Sequence, residues 1–192
     1  MPDTGTKAGK KLGPGRMVLV VGPSGAGKDT LLTALQDSLK DRSGVHFARR
    51  AITRQSDPNA EDHDTLSRAE FDDLIQAGEI ALAWEAHGLG YVIPKTYDDV
   101  VCAGDTVIAN GSRKVLLQSA EKYQTAIVLL ITAPVEVLAE RLAARGRESL
   151  EDIRGRLQRA DLEPDHVPNL IRIENTGTID DGVAAMLAAL EL

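Results

Sequence analysis

Residues 17–30, which read MVLVVGPSGAGKDT, decide the fold of this 192-residue chain. The apolar run at the start of this stretch predicts a buried β-strand, and a helical pattern opens at Thr30, so a glycine-rich loop joins a strand to a helix. The loop fits the pattern G-x-x-x-x-G-K, but Asp29 stands where a serine or threonine is expected. This context predicts a P-loop that binds the phosphates of a nucleoside triphosphate.

The residue types of the loop suit an anion. The glycines let backbone N–H groups approach phosphate oxygens, Lys28 can reach the β- and γ-phosphates, and the following helix directs its positive end at the same anion. A glycine-rich turn without a ligand is the alternative, and the flanking strand, helix and lysine count against it. The expected nucleotide-binding residues are Gly22, Pro23, Ser24, Gly25, Ala26, Gly27, Lys28, Asp29 and Thr30, with Lys28 also catalytic.

Asp29 raises the question of the metal ion that accompanies a triphosphate. A P-loop hydroxyl ordinarily ligates Mg²⁺, but a carboxylate can do so as well, since hard cations take oxygen ligands. Thr30 is the alternative ligand, and a third interpretation is that Asp29 only favours the N-terminal turn of its helix. The expected strand 106–109 ends at Asn110, where many P-loop enzymes carry an acid. We therefore hypothesise that Asp29 supplies the metal-side negative charge that Asn110 lacks, with ATP and Mg²⁺ as the cofactors.

The composition is that of an ordinary globular protein. Hydrophobic residues make up 43% of the chain, which is enough for one domain with a sizeable core. The net charge of −7 argues against a general nucleic-acid binder. No apolar run approaches the roughly 20 residues of a membrane span, the N-terminus lacks the apolar core of a secretory signal, and Cys102 is the sole cysteine. We expect a cytoplasmic protein without a nucleic-acid or membrane partner, and the sequence leaves its oligomeric state open.

Strand and helix patterns alternate from Met17 onward, after a leader of residues 1–16 that we expect to be disordered. The alternation predicts an α/β fold of the P-loop NTPase type, with three layers, a mainly parallel central sheet, helices on both faces and a single domain over residues 17–192. Ser67 and Glu70 form a capping-box pattern at the start of one helix. Strands are expected at residues 17–21, 46–52, 79–84, 106–109, 126–131 and 170–173. Helices are expected at residues 30–41, 69–77, 96–101, 114–122, 135–145, 150–162 and 180–190.

A run of arginines occupies residues 140–148, ERLAARGRE. Arg141 and Arg145 are four residues apart and share a helix face, and Gly146 permits a hinge. One interpretation is a solvated helical face that makes i,i+4 pairs with nearby glutamates. Because a P-loop lies upstream, we favour an arginine-bearing lid over about residues 141–156, which closes over the triphosphate and stabilises the transferring charge.

Taken together, these residues resemble the guanylate kinase-like branch of the nucleoside monophosphate kinases over residues 17–192. The matching pieces are GPSGAGKDT, the Thr53-Arg54 pair, Ser67-x-x-Glu70-Phe71, Trp84 with Gly88 and Tyr91, RLAARGRES, and Asn175 after the last expected strand. Arg141, Arg145 and Arg156 fall at the spacing of the three lid arginines of that family, which contact ATP and the transferring phosphate. The resemblance therefore implies that these three arginines are catalytic.

The departures from that family affect the positions that contact guanine or the acceptor phosphate. They are Asp57 for an arginine, His63 for a tyrosine, Ala83 for a glutamate with Glu85 out of register, Val92 for a glycine, and Asn110-Gly111-Ser112-Arg113 for an acidic strand end. Relative to the resembled family, the residues that bind ATP are thus retained, whereas the residues that recognise the base are replaced. With this combination, and with an aspartate after the P-loop lysine, the chain resembles the ribose 1,5-bisphosphate phosphokinase family of phosphonate catabolism.

The second resemblance implies ATP-dependent phosphorylation of ribose 1,5-bisphosphate to 5-phosphoribosyl 1-diphosphate. An ionised phosphate oxygen is already a nucleophile, so the acceptor site, in an insert at about residues 53–93, needs cations rather than a general base. The expected acceptor-binding residues are Arg50, Arg54, His63, Tyr91 and Arg113, while Lys95 is expected to be solvated. The alternatives are a guanylate kinase with altered base contacts and a non-catalytic guanylate kinase-like binding module, which would have a degraded P-loop or lid.

Overall fold

The computed structural model describes residues 10–54, 63–144, 153, 157 and 167–192. The strands are β1 (Leu12–Val21), β2 (Val45–Phe47), β3 (Ala51–Ile52), β4 (Asp64–Thr65), β5 (Ile80–Ala86), β6 (Leu89–Pro94), β7 (Thr106–Asn110), β8 (Tyr123–Thr132) and β9 (Leu170–Glu174). The helices are α1 (Lys28–Ser38), α2 (Arg68–Ala77), α3 (Thr96–Cys102), α4 (Leu116–Lys122), α5 (Val135–Ala143) and α6 (Ile179–Leu190). A short 3₁₀ turn at Arg113–Val115 leads into α4.

The main sheet has five strands in the order β2-β7-β1-β8-β9, and all four pairings are parallel. Its internal strand β8 is apolar and buried on both faces, with Leu129, Leu130 and Ile131 at most 1% exposed. Because parallel strands end at the same edge, the segments that follow these five strands meet at the carboxyl edge of the sheet, where open α/β folds bind their ligands. The predicted α/β fold with a mainly parallel central sheet is confirmed.

Residues of β1 alternate between two hydrophobic cores, one on each face of the main sheet. Val18 and Val20 lie in a core formed with α1, α5 and α6. Met17, Leu19 and Val21 lie in a core formed with α3, α4 and a second sheet. All five side chains are at most 1% exposed, which explains why β1 is apolar at every position from Met17 to Val21. The expected three layers, with helices on both faces, are therefore confirmed.

The second sheet has four strands in the order β4-β3-β6-β5 and is mixed, with β3 parallel to β4 and antiparallel to β6. Leu82, Trp84 and Ile93 belong to the core that this sheet shares with the main sheet. Ala51 and Val92 point to the other face, where they pack against α2. One face of the second sheet is thus directed toward the main sheet, and the other is covered by a helix.

A polar network ties the second sheet to the main one. Lys122 Nζ donates to the carbonyl oxygens of Ile80 at 3.3 Å and Ala81 at 2.7 Å, and it lies 2.7 Å from Oδ2 of Asp98. The hydroxyl of Tyr123 donates to Oδ1 of the same aspartate at 2.6 Å. Burial, together with this hydrogen bond, raises the pKa of Tyr123 far above its usual value, so the phenol remains a donor. The network holds β5 against α3 and the start of β8.

The expected strand over residues 46–52 is wrong, because the chain changes sheets within it. Val45–Phe47 pairs with β7 in the main sheet, and Ala51–Ile52 pairs with β6 in the second sheet. The N–H of Ala48 still bonds the carbonyl of Ile108 at 2.8 Å, whereas the N–H of Arg49 bonds the hydroxyl of Tyr97. Strands β4 and β6 were not expected, since the first has only two residues and the second contains a glycine and ends at a proline.

The expected disordered leader of residues 1–16 is too long. Strand β1 begins at Leu12, which pairs with Tyr123. Arg16 anchors the strand further, because Nη1 donates to the carbonyl of Leu190 at 2.9 Å and Nε donates to the hydroxyl of Thr106 at 3.2 Å. The folded domain therefore starts before Met17, and residues 1–9 lie outside the described part of the chain.

The helix with the capping-box pattern begins where the sequence predicts. Ser67 is the N-cap of α2, its hydroxyl accepts from the N–H of Glu70 at 3.2 Å, and the Glu70 carboxylate accepts from the N–H of Ser67 at 2.7 Å. The helix expected at residues 150–162 falls almost wholly outside the described residues. Within the described ranges, every helix is too short or too polar to cross a bilayer.

Candidate functional site

The P-loop lies at the carboxyl edge of the main sheet, between the end of β1 and the start of α1 at Lys28. Gly22, Gly25 and Gly27 have φ angles of 153°, 88° and 89°, in a region that side chains disfavour. A Cβ atom at Gly22 would also collide with the carbonyl oxygen of Ile131. The loop thus has its glycines where the backbone requires them, and Lys28 and the first N–H groups of α1 follow it directly, as the predicted anion site requires.

Asn175, directly after β9, braces the P-loop. Its side chain is largely buried, and Nδ2 donates to the carbonyl oxygen of Ala26 at 2.8 Å. Its backbone carbonyl accepts a hydrogen bond from Nη2 of Arg141 on α5 at 3.0 Å. Sequence reasoning placed Asn175 in a family motif but gave it no role. The signal that could have found it is a polar residue that immediately follows a strand of a parallel sheet.

Arg141 is held against the P-loop. Its Nη1 is buried and, among the residues that the structure describes, has no hydrogen-bond partner. The same nitrogen lies 4.0 Å from the position that a Cβ atom on Gly27 would occupy. Because a buried charged donor without an acceptor is unfavourable, this arrangement suits an anion bound in the loop. Of the three expected lid arginines, Arg141 is therefore next to the expected nucleotide-binding residues.

Asp29 and Asn110 contact each other directly. Nδ2 of Asn110 donates to Oδ1 of Asp29 at 2.9 Å. Asn110 ends β7 and is 7% exposed, whereas Asp29 is exposed in the first turn of α1. The two residues that the metal hypothesis paired are thus neighbours, and the amide holds one oxygen of the carboxylate.

The residues around Asp29 fit a magnesium ion that is carried by a nucleotide. In the described ranges, no group of three or more histidine, cysteine, aspartate or glutamate side chains could hold a metal ion alone. Magnesium in nucleotide sites takes few protein ligands and completes its octahedron with phosphate oxygens and water. The exposed oxygens of Asp29 and Thr30, beside the start of α1, are ligands of this kind.

On the second sheet, Arg50 lies against an aromatic pair. Trp84 and Tyr91 are cross-strand neighbours whose rings are parallel within 1° and 5.3 Å apart between centroids. The guanidinium carbon of Arg50 lies 5.3 Å from the Tyr91 centroid and 5.7 Å from the Trp84 centroid. Arg50 is 8% exposed, so a permanent positive charge is fixed on the face directed toward the main sheet. Its neighbour Arg49 is exposed and is paired with Asp64 at 2.7 Å.

Other acceptor candidates surround strand β3. His63 is 3% exposed and directly precedes β4. Arg54 is exposed just beyond β3. Thr53 fixes this turn, because its hydroxyl accepts from the N–H of Gly90 at 2.8 Å and its own N–H donates to the carbonyl of Gly90 at 3.0 Å. Arg54 therefore extends from the sheet next to the strand that carries Tyr91.

Arg113 lies on the segment that runs from the main sheet to the second sheet. The N–H of Gly111 donates to the carbonyl of Val20 at 2.9 Å, so the segment starts beside the strand that leads into the P-loop. Nζ of Lys114 donates to the carbonyl of Glu85 on β5 at 2.6 Å. The exposed side chain of Arg113 is thus at the carboxyl edge, between the two sheets.

Three further positions near the second sheet are explained by other contacts. Lys95 pairs with Glu79 at 3.1 Å with half of its side chain exposed, as expected for a solvated lysine. Glu85 pairs with Arg68 of α2 at 2.6 Å. Ala83 lies on the face that packs against α2. Neither position 83 nor position 85 therefore offers a carboxylate to the face that carries Trp84 and Tyr91.

Several expected site residues lie outside the described part of the chain. They are Arg145 and Arg156, together with most of the expected lid. Asp57, which stands where the resembled family has an arginine, also lies outside it. The assignments of the three-arginine lid and of the missing phosphate-binding arginine stay predictions.

Comparisons with known proteins give the following likenesses. The family model described as "AAA domain" matches residues 17–164. A ribose 1,5-bisphosphate phosphokinase PhnN of Brucella melitensis is 46% identical over 173 residues, which cover 90% of each chain. The PhnN of Pseudomonas fluorescens is 42% identical over 182 residues, which cover 92% of this chain and 95% of that protein.

Among solved structures, the chain is similar to a guanylate kinase from Anaplasma phagocytophilum. The TM-score is 0.62, the sequence identity is 19%, and the match covers 95% of this chain and 86% of that one. At this identity the likeness concerns the fold alone, and it agrees with the arrangement of strands and P-loop described above.

Proposed function

The chain belongs to the ribose 1,5-bisphosphate phosphokinase family, and we propose that it transfers the γ-phosphoryl group of ATP to the 1-phosphate of ribose 1,5-bisphosphate. The products are 5-phosphoribosyl 1-diphosphate and ADP. The observation that carries the choice of acceptor is the guanidinium of Arg50, which is fixed against Trp84 and Tyr91 on the face toward the main sheet. A doubly phosphorylated sugar needs such fixed cations.

The reaction requires positioning and charge neutralisation more than proton transfer. An oxygen of the 1-phosphate is ionised near neutral pH, so it attacks the γ-phosphorus without a general base. The new P–O bond forms in line with the bond to the β,γ-bridging oxygen, which breaks, and its electron pair leaves with ADP. Lys28 and the N–H groups of the loop bind the donor phosphates, and Arg141 neutralises charge beside them.

The metal-side ligands would come from the first turn of α1. Asp29 would hold Mg²⁺, with Thr30 as the alternative ligand, and Asn110 orients the Asp29 carboxylate through its amide. When bound, the ion neutralises charge on the donor phosphates.

The acceptor would lie between the second sheet and the carboxyl edge of the main sheet. Its phosphates would be bound by Arg50, Arg54 and Arg113, with His63 and Tyr91 as hydrogen-bond donors. Support comes from the segment 111–114, which joins the two sheets and carries Arg113. Substitution of Arg54 or Arg113 by alanine should chiefly raise the KM for the acceptor.

The test is an ADP-release assay with product identification, with ATP and Mg²⁺ present and either ribose 1,5-bisphosphate or GMP as acceptor. We expect turnover with the sugar bisphosphate and none above background with GMP. Turnover of GMP alone would make the protein a guanylate kinase with altered base contacts. Nucleotide binding without turnover of either acceptor would make it a binding module.

The remaining assignments of this proposal concern organisation and place. The second sheet would be the acceptor-binding insert, residues 141–156 would be the lid, and the enzyme would act in the cytoplasm.

A further inference from the structure

Asn175 has a fixed place in the fold that its sequence position alone does not reveal. Its backbone N–H donates to the carbonyl of Thr132 at 2.8 Å, which continues the pairing of β8 and β9 beyond the end of β9. The side chain then reaches past β8 to the carbonyl oxygen of Ala26, 2.8 Å away, in a buried setting. A buried amide that donates to a loop carbonyl fixes the orientation of that peptide group.

The orientation of the Ala26 carbonyl determines where the N–H of Gly27 points. In a trans peptide the C=O and the following N–H point in opposite directions across one plane. When Asn175 holds the Ala26 oxygen on its own side, the N–H of Gly27 is directed to the opposite side. At Gly27 a Cβ atom would lie 2.5 Å from Nδ2 of Asn175, and φ is 89°, so glycine is required for this close approach.

The same residue also holds the arginine beside the loop. The carbonyl oxygen of Asn175 accepts from Nη2 of Arg141 at 3.0 Å. This bond leaves Nη1 buried next to Gly27, and within the described ranges that nitrogen has no hydrogen-bond partner. Asn175 therefore fixes the orientation of two donors, the N–H of Gly27 and Nη1 of Arg141.

We propose that Asn175 is a positioning residue that presets the P-loop and Arg141 for the triphosphate. This inference rests on the proposed function of the loop as the ATP site. The side chain of Asn175 acts through the Ala26–Gly27 peptide, and its backbone acts through Arg141. Preset donors bind an anion without the cost of ordering the loop at each binding event.

The chain offers a matched control at the other end of β9. Nδ2 of Asn169 donates to the carbonyl of Ala126 at 3.1 Å, which is the same type of bond, at the edge of the sheet opposite the P-loop. Asn175→Asp and Asn169→Asp each remove one amide donor and add one negative charge. Asn175→Ala removes the donor without the charge, and Asn175→Ser keeps a small polar group that ends one atom short.

The experiment measures the ATP dissociation constant by calorimetry, KM and kcat by steady-state kinetics, and Tm for each full-length variant. One hydrogen bond is worth about tenfold in an equilibrium, so Asn175→Ala should raise the Kd and KM for ATP about tenfold. The KM for the acceptor should stay unchanged. Asn175→Asp should weaken ATP binding further, while Asn169→Asp should lower only Tm.

A purely structural role would lower Tm and the active fraction without changing the Kd for ATP of the folded protein. That result for Asn175→Ala, or a rise in Kd of equal size for Asn169→Asp, would overturn the inference. If the alanine variant does not fold, Asn175→Ser gives the same readout. A wild-type protein that does not bind ATP contradicts the proposed function, whereas wild-type binding with unaffected Asn175 variants contradicts only the positioning role.

Discussion

The P-loop and the second sheet, which we propose to bind the donor and acceptor phosphates, offer positive charge through different groups. The P-loop uses backbone N–H groups held by glycine dihedral angles and by the amide of Asn175. The second sheet uses side chains, with the guanidinium of Arg50 fixed against Trp84 and Tyr91. Backbone sites tolerate few substitutions, whereas a side-chain site changes its ligand when a few residues change. On the proposed function, one fold keeps its phosphoryl donor and exchanges its acceptor through changes in a few side chains.

The largest expected effect concerns the donor side, where we propose that Lys28 binds the donor phosphates. Lys28→Ala should lower kcat/KM on the order of 1,000-fold, because it removes a charged donor from a preorganised phosphate site. Steady-state kinetics with both substrates measure the loss. The exposed lysine Lys40, beyond the end of α1, provides the control, and Lys40→Ala should be near wild type. Equal activity of the two variants would show that the P-loop lysine takes no part in the reaction.

On the acceptor side, substitution of Arg50 should distinguish the two regions most clearly, because it should change the KM of only one substrate. Arg50→Ala should raise the KM for ribose 1,5-bisphosphate about 100-fold, because hydrogen bonds to a charged group are worth up to about 3 kcal/mol. The KM for ATP should stay unchanged. Arg49→Ala is the matched control, since Arg49 is exposed and paired with Asp64. An equal effect of both substitutions on the acceptor KM would mean that the aromatic pair does not position the acceptor charge.

The donor side also contains the pair formed by Asp29 and Asn110. Asp29→Ala should raise the Mg²⁺ concentration needed for half-maximal activity by about tenfold, through loss of one hard oxygen ligand. Titration of Mg²⁺ at fixed ATP measures the shift. Asn110→Ala should give a smaller shift of the same sign, because it only frees the carboxylate that the amide holds. If Asp29→Ala leaves the Mg²⁺ dependence unchanged, Asp29 does not bind the metal and only stabilises the N-terminal turn of α1.

The smallest effect is structural and should leave both halves of the site intact. Ser67→Ala removes the N-cap of α2, which should lower the free energy of unfolding by about 1 kcal/mol. The backbone N–H of Ser67, which the substitution leaves in place, and then the Ser67 side chain lower the pKa of Glu70 by hydrogen bonding. Their contribution is present above the ordinary glutamate pKa and is lost as the pH falls through the lower folded-state value.

Urea denaturation of wild type and Ser67→Ala, at neutral and at acidic pH, measures the loss in the free energy of unfolding and its dependence on pH. Both KM values should remain at wild type, because α2 covers the face of the second sheet that points away from the main sheet. A change in the acceptor KM would show that α2 influences the acceptor side.

The donor half could be predicted from the sequence because its signal is local. The run from Met17 to Thr30 contains the strand, the glycines and the lysine within one continuous stretch. The capping box of α2 is equally local and begins the helix where it was expected. In both cases neighbouring residues in the chain determine the structure without help from distant contacts.

The second sheet, where we propose that the acceptor binds, could be predicted only in part. Its structure depends on contacts between residues far apart in the chain. The change of sheet at residues 48–50 is set by the hydroxyl of Tyr97 and by the pairing of β3 with β6. No periodicity marks that change, since the strands on either side have only three and two residues. The stacking of Arg50, just before β3, on Trp84 of β5 and Tyr91 of β6 is equally invisible in a window of neighbouring residues.

On the donor side, the contacts of Asn175 and Asn110 likewise could not be predicted from neighbouring residues. Each ends or follows a strand of the main sheet, so the sequence could place each at the carboxyl edge. Which groups they contact depends on the strand order, in which β7 and β8 flank β1 and β9 follows β8. The partners of the two asparagines therefore followed only from the folded arrangement.

We propose that this chain combines an ATP site at the P-loop with an acceptor site that binds a sugar bisphosphate in place of a base. The most direct measurement is a ³¹P NMR competition in which limiting ATP, Mg²⁺ and enzyme are incubated with equal amounts of ribose 1,5-bisphosphate and GMP. Beyond the signals of ADP, we predict that the new diphosphate signals belong to 5-phosphoribosyl 1-diphosphate and that GMP is left intact. Formation of GDP with the sugar bisphosphate unconsumed would contradict it.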